Sequence, residues 1–172
     1  MIRLETDRLI LRNYIPEDVP AVHEYFSNEE VSRCEDFWPM SVEDVTEMLS
    51  DWKDMDNRMA VILKETGELI GSAGYRIDDE KEKPEYSIDH DFYPRFWHKG
   101  SSTEAAKAVA EHLIAVLHAK EIFGDCDERN LASAGLMKRL GFQLIGTEDS
   151  SCKDDAEGNP IMVRVQIYKL SV

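Results

Sequence analysis

Between a strand-like run and a strongly periodic helix lies Trp97-His98-Lys99-Gly100-Ser101-Ser102-Thr103-Glu104, whose turn and first helical amides have no partner within the helix. Free N–H groups and the partial positive charge of a helix N-terminus attract anions. Gly100 offers no side chain to obstruct a phosphate, and Lys99 adds a full charge. Ser101 and Glu104 also fit a capping box, with Ser101 as N-cap and Glu104 three positions on. By itself the segment reads equally as a capped helix start and as a phosphate cradle. It is not a Walker A loop, because its lysine precedes Gly100 and Arg95, not glycine, stands five residues earlier. Cys34, Cys126 and Cys152 form no CxxC pair, so neither a zinc ribbon nor a disulfide framework is indicated. Cys34 and Cys126 have no histidine at a spacing that would make either an acyl-carrying nucleophile. His112 and His118, about 600° apart around a helix, face different ways, and no metal is expected.

The elements that hold this segment follow from periodicity. Leu9-Ile10-Leu11-Arg12 is a short strand, and Pro16 opens a helix in which Val19, Val22, His23 and Phe26 share a face. Residues 28–39 lack periodicity, and Ser41 caps a helix ending near Met55. Met59–Leu63 and Leu69–Tyr75 form a hairpin around Gly67. Asp78–Lys83 is a charged break, and Glu85–Phe92 is a strand running into the loop. From Thr103 to about His118, apolar residues recur at helical spacing. A strand over Ile122–Cys126, a helix over Asn130–Leu140 stopped by Gly141 and a strand from Phe142 follow. Thr147–Pro160 reads as a polar loop, and Ile161–Tyr168 as a closing strand.

At 172 residues and 42% hydrophobic content the chain fits one domain spanning 1–172. Its 20 Lys+Arg against 35 Asp+Glu give a net charge of −15, which argues against a nucleic-acid partner and suits a cationic one. Charge near Met1 where a signal peptide needs an apolar run, and no stretch approaching ~20 apolar residues, predict a soluble protein with no membrane partner. The cysteine usage predicts a cytoplasmic home. Monomer and homodimer are both compatible with the sequence.

Taken together, three stretches resemble the Gcn5-related N-acetyltransferases (GNAT), in particular the ribosomal-protein N-terminal acetyltransferase branch. They are Leu4–Arg12, Trp97–Ala105, and Asn130-Leu131-Ala132-Ser133 with Leu140-Gly141-Phe142. The resemblance implies an α/β (α+β) fold with a mixed central sheet of about seven strands and helices on both sides. It implies transfer of an acetyl group from acetyl-CoA to a primary amine by direct attack. The acceptor would be a protein N-terminus, a polyamine or another small-molecule amine. A non-catalytic CoA-binding or regulatory module of the same fold is the alternative.

Carried onto this chain, the resemblance places Phe92, Tyr93, Trp97, His98, Lys99, Gly100, Ser101, Ser102 and Thr103 at the cofactor. Amides around His98–Thr103 would hold the pyrophosphate, and Asn130 and Ser133 would face the pantetheine or nucleotide. Read locally, Asn130 is an N-cap and Ser133 a surface hydroxyl. His98 and Ser101-Ser102 are bulkier than the family pattern, and Met137 stands where many relatives carry a thiolate-protonating tyrosine. The acyl oxygen would be stabilised by a backbone N–H near Asp91–Tyr93, on a strand that splays from its neighbour. An ammonium must lose a proton before attack, and His90 and Glu85 are the candidate acceptors, with Asp89 behind them. Glu35, Asp36 and Trp38 are candidates to receive a cationic amine.

Overall fold

The computed structural model describes residues 2–32, 37–80 and 83–172. Cys34, Glu35 and Asp36 therefore lie outside the described residues. The opening run is a hairpin rather than one strand: β1 (Arg3–Glu5) and β2 (Leu9–Arg12) pair antiparallel around Thr6-Asp7-Arg8. Leu9 and Leu11 are fully buried while Ile10 and Arg12 remain partly accessible, the alternation of a strand with one face on the core.

Three helices follow, α1 (Val19–Phe26), the single turn α2 (Glu29–Ser32) and α3 (Val42–Trp52). Ser41 caps α3 as expected: its Oγ accepts from the Asp44 N–H at 3.1 Å, and the Asp44 carboxylate accepts from the Ser41 N–H at 3.1 Å. Strands β3 (Arg58–Leu63), β4 (Leu69–Asp78) and β5 (Glu85–Phe92) form an antiparallel meander, with Gly67 at φ 74° in the first turn. Helix α4 (Ser101–Ala115) buries Ala105, Ala106, Val109, Ala110 and Leu113. It is followed by β6 (Glu121–Asp127), α5 (Leu131–Arg139), β7 (Gln143–Asp154) and β8 (Pro160–Ser171).

The strands make one sheet in the order β1-β2-β3-β4-β5-β6-β8-β7, in which β5–β6 is the parallel pair and the other pairs are antiparallel. That is eight strands where about seven were expected, β1 being the addition. Helices cover both faces. Tyr75 on β4 lies 6.4 Å from the His112 ring on α4 and is registered with Ile88, whereas Asp91, of opposite parity, meets Tyr25 on α1.

One element departs from the sequence reading. Most of Thr147–Pro160 is strand, and the connection shrinks to residues 155–159. β7 is the edge of the sheet and is largely exposed. Its backbone pairs with β8 along its whole length, with register shifts beside Ile145 and Cys152. An edge strand facing solvent needs no apolar alternation, so its polar sequence resembles a loop.

Candidate active site

The strands β5 and β6 run side by side only briefly. Their registered pairs are Tyr86–Ile122 and Ser87–Phe123. From Ile88 onward, among the described residues, β5 keeps β4 as its partner and β6 keeps β8. The parity of the β4–β5 ladder is fixed by the Tyr93 N–H, which donates to the Ile70 carbonyl at 3.1 Å. The amides of Asp89, Asp91 and Tyr93 thus turn toward β4, and those of Ile88, His90 and Phe92 turn toward the gap. The Phe92 carbonyl accepts the Trp97 indole N–H at 2.5 Å, which anchors the chain leaving the strand. Within the predicted Asp91–Tyr93 range, Phe92 is the position whose N–H faces the opening.

A cavity of about 550 Å³ occupies this gap. Consecutive residues Ile88, His90, Asp89 and Asp91 border it, so both faces of β5 contribute and the space passes through the sheet. Phe26, Phe37 and Trp52 form an aromatic wall on the helical side, and Ser150, Ser151 and Cys152 close it from β7. The two walls are tied together. The Lys153 ammonium donates to the Ser32 carbonyl and, at 3.2 Å, to that of Phe37, and it sits 4.3 Å over the Trp38 ring. The Trp38 indole donates to the Asp154 carbonyl at 2.9 Å. One face of the Trp38 ring that the sequence offers to a cationic ligand is therefore already taken by the protein's own lysine, although the residue stays exposed.

Four aspartates, Asp89, Asp91, Asp125 and Asp127, border the cavity against two arginines, Arg58 and Arg76. Arg58 donates to Asp89 at 3.0 Å and to Asp91 at 3.1 Å while its guanidinium lies 4.1 Å over the Trp52 ring. Asp91 also accepts from Ser72 Oγ at 3.2 Å and Tyr25 Oη at 3.3 Å. Burial and the neighbouring Asp89 charge push its carboxyl up to about 6 against the pull of Arg58, Ser72 and Tyr25. Burial holds His90 below the ordinary histidine range although Asp89 pulls the other way, so its imidazole is neutral at pH 7. Arg58 and the Asp91 side chain were not singled out from sequence. The available signal was Asp89-x-Asp91 on a strand, two carboxylates on one face that need a cation.

Glu85 sits at the opposite end of β5 from Phe92, registered with Asp78, and is not among the cavity's bordering residues. His90 is. Asn130 and Ser133 also border the cavity, and Asn130 caps α5, its Oδ1 accepting the Ser133 N–H at 3.1 Å. That leaves its amide NH₂ to face the space. The Met137 side chain is buried and packs against Gly124 on β6, where a Cβ would lie 2.6 Å from its Cε. A thioether rather than a hydroxyl therefore stands near the point where β5 and β6 part.

The loop that the sequence offers to an anion keeps its expected place between β5 and α4 but not its expected cap. Gly100, at φ 80°, is the N-cap of α4, and Ser101 is the first helical residue and buried. Glu104 reaches away from the helix end to Thr6 Oγ1 at 2.5 Å and the Arg8 N–H at 3.0 Å, so the Ser101–Glu104 capping box does not form. A tertiary partner outcompetes the local one. Trp97, His98, Lys99 and Gly100 are exposed, with Ser102 and Thr103 partly so. Arg8 and Arg139 stand beside them, Arg8 donating to the Lys99 carbonyl at 3.0 Å and Arg139 to Thr103 Oγ1 at 3.3 Å. Neither was foreseen from the sequence as part of this site.

The sheet thus parts between two parallel strands, beside the N-terminus of α4 with Lys99, Arg8 and Arg139 close by. The family follows from comparison: a model described as an acetyltransferase (GNAT) domain matches residues 8–143, and the chain belongs to that family. An uncharacterized N-acetyltransferase, p20, of Bacillus licheniformis is 30% identical over 152 residues, 85% of each chain. The spermine/spermidine N(1)-acetyltransferase of Bacillus subtilis is 27% identical over 128 residues, 72% of this chain and 80% of its own length. A GNAT-family acetyltransferase from Bacillus anthracis superposes with a TM-score of 0.85 at 23% identity, over 99% of this chain and 98% of its own. A ribosomal alpha-N-protein acetyltransferase solved with coenzyme A does so at 0.80 and 17%, over 99% and 98%. Both share the fold, and membership of the family supports acetyltransferase activity.

Proposed function

We propose that the protein is an acetyl-CoA-dependent N-acetyltransferase whose acceptor is a cationic primary amine, a small amine or a protein N-terminus. The carrying observation is the cavity through the sheet, with strand amides turned into it from β5 and paired aspartates on its helical side. The residues present fit the co-substrate. The His90 and Phe92 amides offer a strand edge to its pantetheine, and the α4 N-terminus with Lys99 and Arg139 nearby suits its phosphates. The thioester supplies the acyl carbon.

On the other side, Asp89 and Asp91 draw the acceptor's ammonium toward the gap, and the aromatic wall excludes water around it. The amine nitrogen forms the N–C bond as the C–S bond breaks. One ammonium proton passes to neutral His90 before attack and the second leaves the nitrogen to water as the amide forms, while the sulfur departs as a thiolate that, with Met137 in place of an acid, takes its proton from water. The Phe92 N–H faces the developing oxyanion. Asp125 and Asp127 are answered by Arg76 and Arg129, so the acidic excess that favours a cationic acceptor lies at Asp89 and Asp91, which share Arg58, and the relatives' named amine substrates are of that kind.

The test is a calorimetric titration with acetyl-CoA, repeated on Gly100→Glu, followed by an amine screen reading thiol release. Micromolar binding lost in the variant, and turnover with a cationic amine, are the expected results. Binding without turnover on any amine would leave the non-catalytic module instead, and no binding by the folded native protein would sink both.

A further inference from the structure

Three residues near the N-terminus and one in α4 form a cluster that the proposed reaction does not use. The Glu104 carboxylate accepts from Thr6 Oγ1 at 2.5 Å, from the Arg8 N–H at 3.0 Å and from Arg8 Nε at 2.6 Å. Thr6 Oγ1 in turn accepts the Leu9 N–H at 3.0 Å, closing the β1–β2 turn. Arg8 Nη2 lies 2.6 Å from Glu104, and Nη1 donates to the Lys99 carbonyl at 3.0 Å. Each guanidinium nitrogen is thus engaged by the protein. Partial burial pushes the Glu104 carboxyl up, but the donors from Thr6 and Arg8 prevail and hold it below the ordinary glutamate range.

The loop these groups touch is under conformational demand. His98 at φ 59° and Gly100 at φ 80° are both left-handed, and one of them is not glycine. Gly100 supplies no side-chain cap. Trp97 pins the start of the loop to the Phe92 carbonyl, and Arg8 pins its far end through the Lys99 carbonyl. Glu104 is a negative charge in the first turn of a helix expected to hold phosphates, where unopposed it would repel them. Arg8 neutralises it and ties it down.

We propose that Thr6, Arg8 and Glu104 are a clamp that holds the residue 97–100 loop in its anion-binding shape, with Arg8 and Glu104 acting as positioning residues for the phosphate-bearing co-substrate. This rests on the reading that coenzyme A binds at the α4 N-terminus. Thr6 and Arg8 belong to the opening hairpin, so the clamp explains why that hairpin is fastened to a helix about a hundred residues away: |i−j| is 98 for Thr6 and 96 for Arg8.

A direct phosphate ligand and a brace make opposite predictions for Glu104→Gln. If Arg8 served chiefly to contact phosphate, removing the competing carboxylate would leave coenzyme A binding unchanged or tighter. As a brace, Arg8 loses its anchor, and coenzyme A should bind about tenfold more weakly. Calorimetry with coenzyme A should show about the same loss in Glu104→Gln and in the double variant, because one unit is being broken, and a loss at least as large in Arg8→Ala, where the unopposed Glu104 adds repulsion. Thr6→Val, which keeps the Arg8–Glu104 pair and removes only the hydroxyl's bonds to Glu104 and the Leu9 N–H, should cost about threefold and guards against a folding defect in the others. The KM for acetyl-CoA should rise with the Kd while kcat and the acceptor KM stay within about twofold. Equal or tighter binding by folded Glu104→Gln, or losses in Arg8→Ala and Glu104→Gln that multiply in the double variant, would overturn the clamp. If the native protein binds no coenzyme A, the proposed function fails rather than the clamp.

Discussion

Replacing Arg58 by methionine keeps an unbranched chain against the Trp52 ring and removes the cation shared by Asp89 and Asp91. A unit-charge pair at about 4 Å is worth ~4 kcal/mol at an effective dielectric of ~20. The aspartate side chains keep 31% and 12% exposure, so screening leaves about half, ~2 kcal/mol, which raises the Asp91 pKa by about 1.5. Starting at about 6, that carboxyl then titrates above neutrality. An acceptor drawn in by its ionised form should show kcat/KM falling about fourfold at pH 7 and returning close to the native value by about pH 8.5, as the acid limb moves up by roughly 1.5 pH units. Thiol release measured from about pH 5.5 to 9 reads this directly. Stability should follow the same sign. A carboxyl whose folded pKa lies above its ordinary value binds its proton more tightly when folded, so it favours the fold in acid, and that contribution fades as pH rises through about 6. In Arg58→Met the fading extends above pH 7, so thermal melts should show a larger deficit at pH 8 than at pH 5.5. An acid limb within about 0.3 pH unit of the native one, in folded protein, would remove Asp91 from acceptor recognition and the reasoning with it.

The two sequence-derived proton acceptors separate cleanly by position. His90→Ala should lower kcat about a hundredfold at neutral pH, while Glu85→Gln, remote from the cavity, should stay within about twofold; equal effects would contradict the placement of the proton acceptor. Gly124→Ala would set a methyl 2.6 Å from Met137 Cε and 2.8 Å from its Sδ. Because Met137 is fully packed, the variant should lose about 1–3 kcal/mol in denaturant unfolding, partly restored by adding Met137→Ala, and an unchanged midpoint for Gly124→Ala alone would show that the thioether moves freely.

What the sequence discloses depends on whether a residue's role is local. Glu85–Phe92 is legible to the residue because alternation and a flanking charged break delimit it, and Ser41 is legible as a cap because its partner lies three residues on. Glu104 is not, since the same local pattern at Ser101 meets Thr6 and Arg8 from the opening hairpin, and three tertiary donors outweigh one helix-end amide. Beyond its start, β7 is not legible either: from Thr147 on an exposed edge strand is held by its backbone, and its side chains carry no periodic signal. The acidic wall shows the intermediate case. Asp89 and Asp91 announce a shared face, but that the face borders the cavity, and that Arg58 answers them, depends on the β3–β4–β5 register.

That register also explains how one strand can serve two ligands. In β5 the side chains of Asp89 and Asp91 point to the helical face carrying α1, while the amides of the alternate residues His90 and Phe92 open toward β6. In the proposed reaction a period of two therefore gives the odd-numbered carboxylates to the acceptor and the even-numbered amides to the co-substrate, with the acyl carbon where the two sets meet. The arrangement depends on β4 holding β5 in place after β6 has parted from it. Gly71 marks that hold, since a Cβ there would lie 2.2 Å from the Asp91 carbonyl oxygen. A side chain at Gly71 would push β5 off β4 at the very residues whose parity the chemistry uses. A slip of one residue would exchange the two sets, turning carboxylates toward the co-substrate's side and taking the His90 and Phe92 amides out of the gap. Close backbone approach at Gly71 is thus a condition of the reaction as well as of the fold.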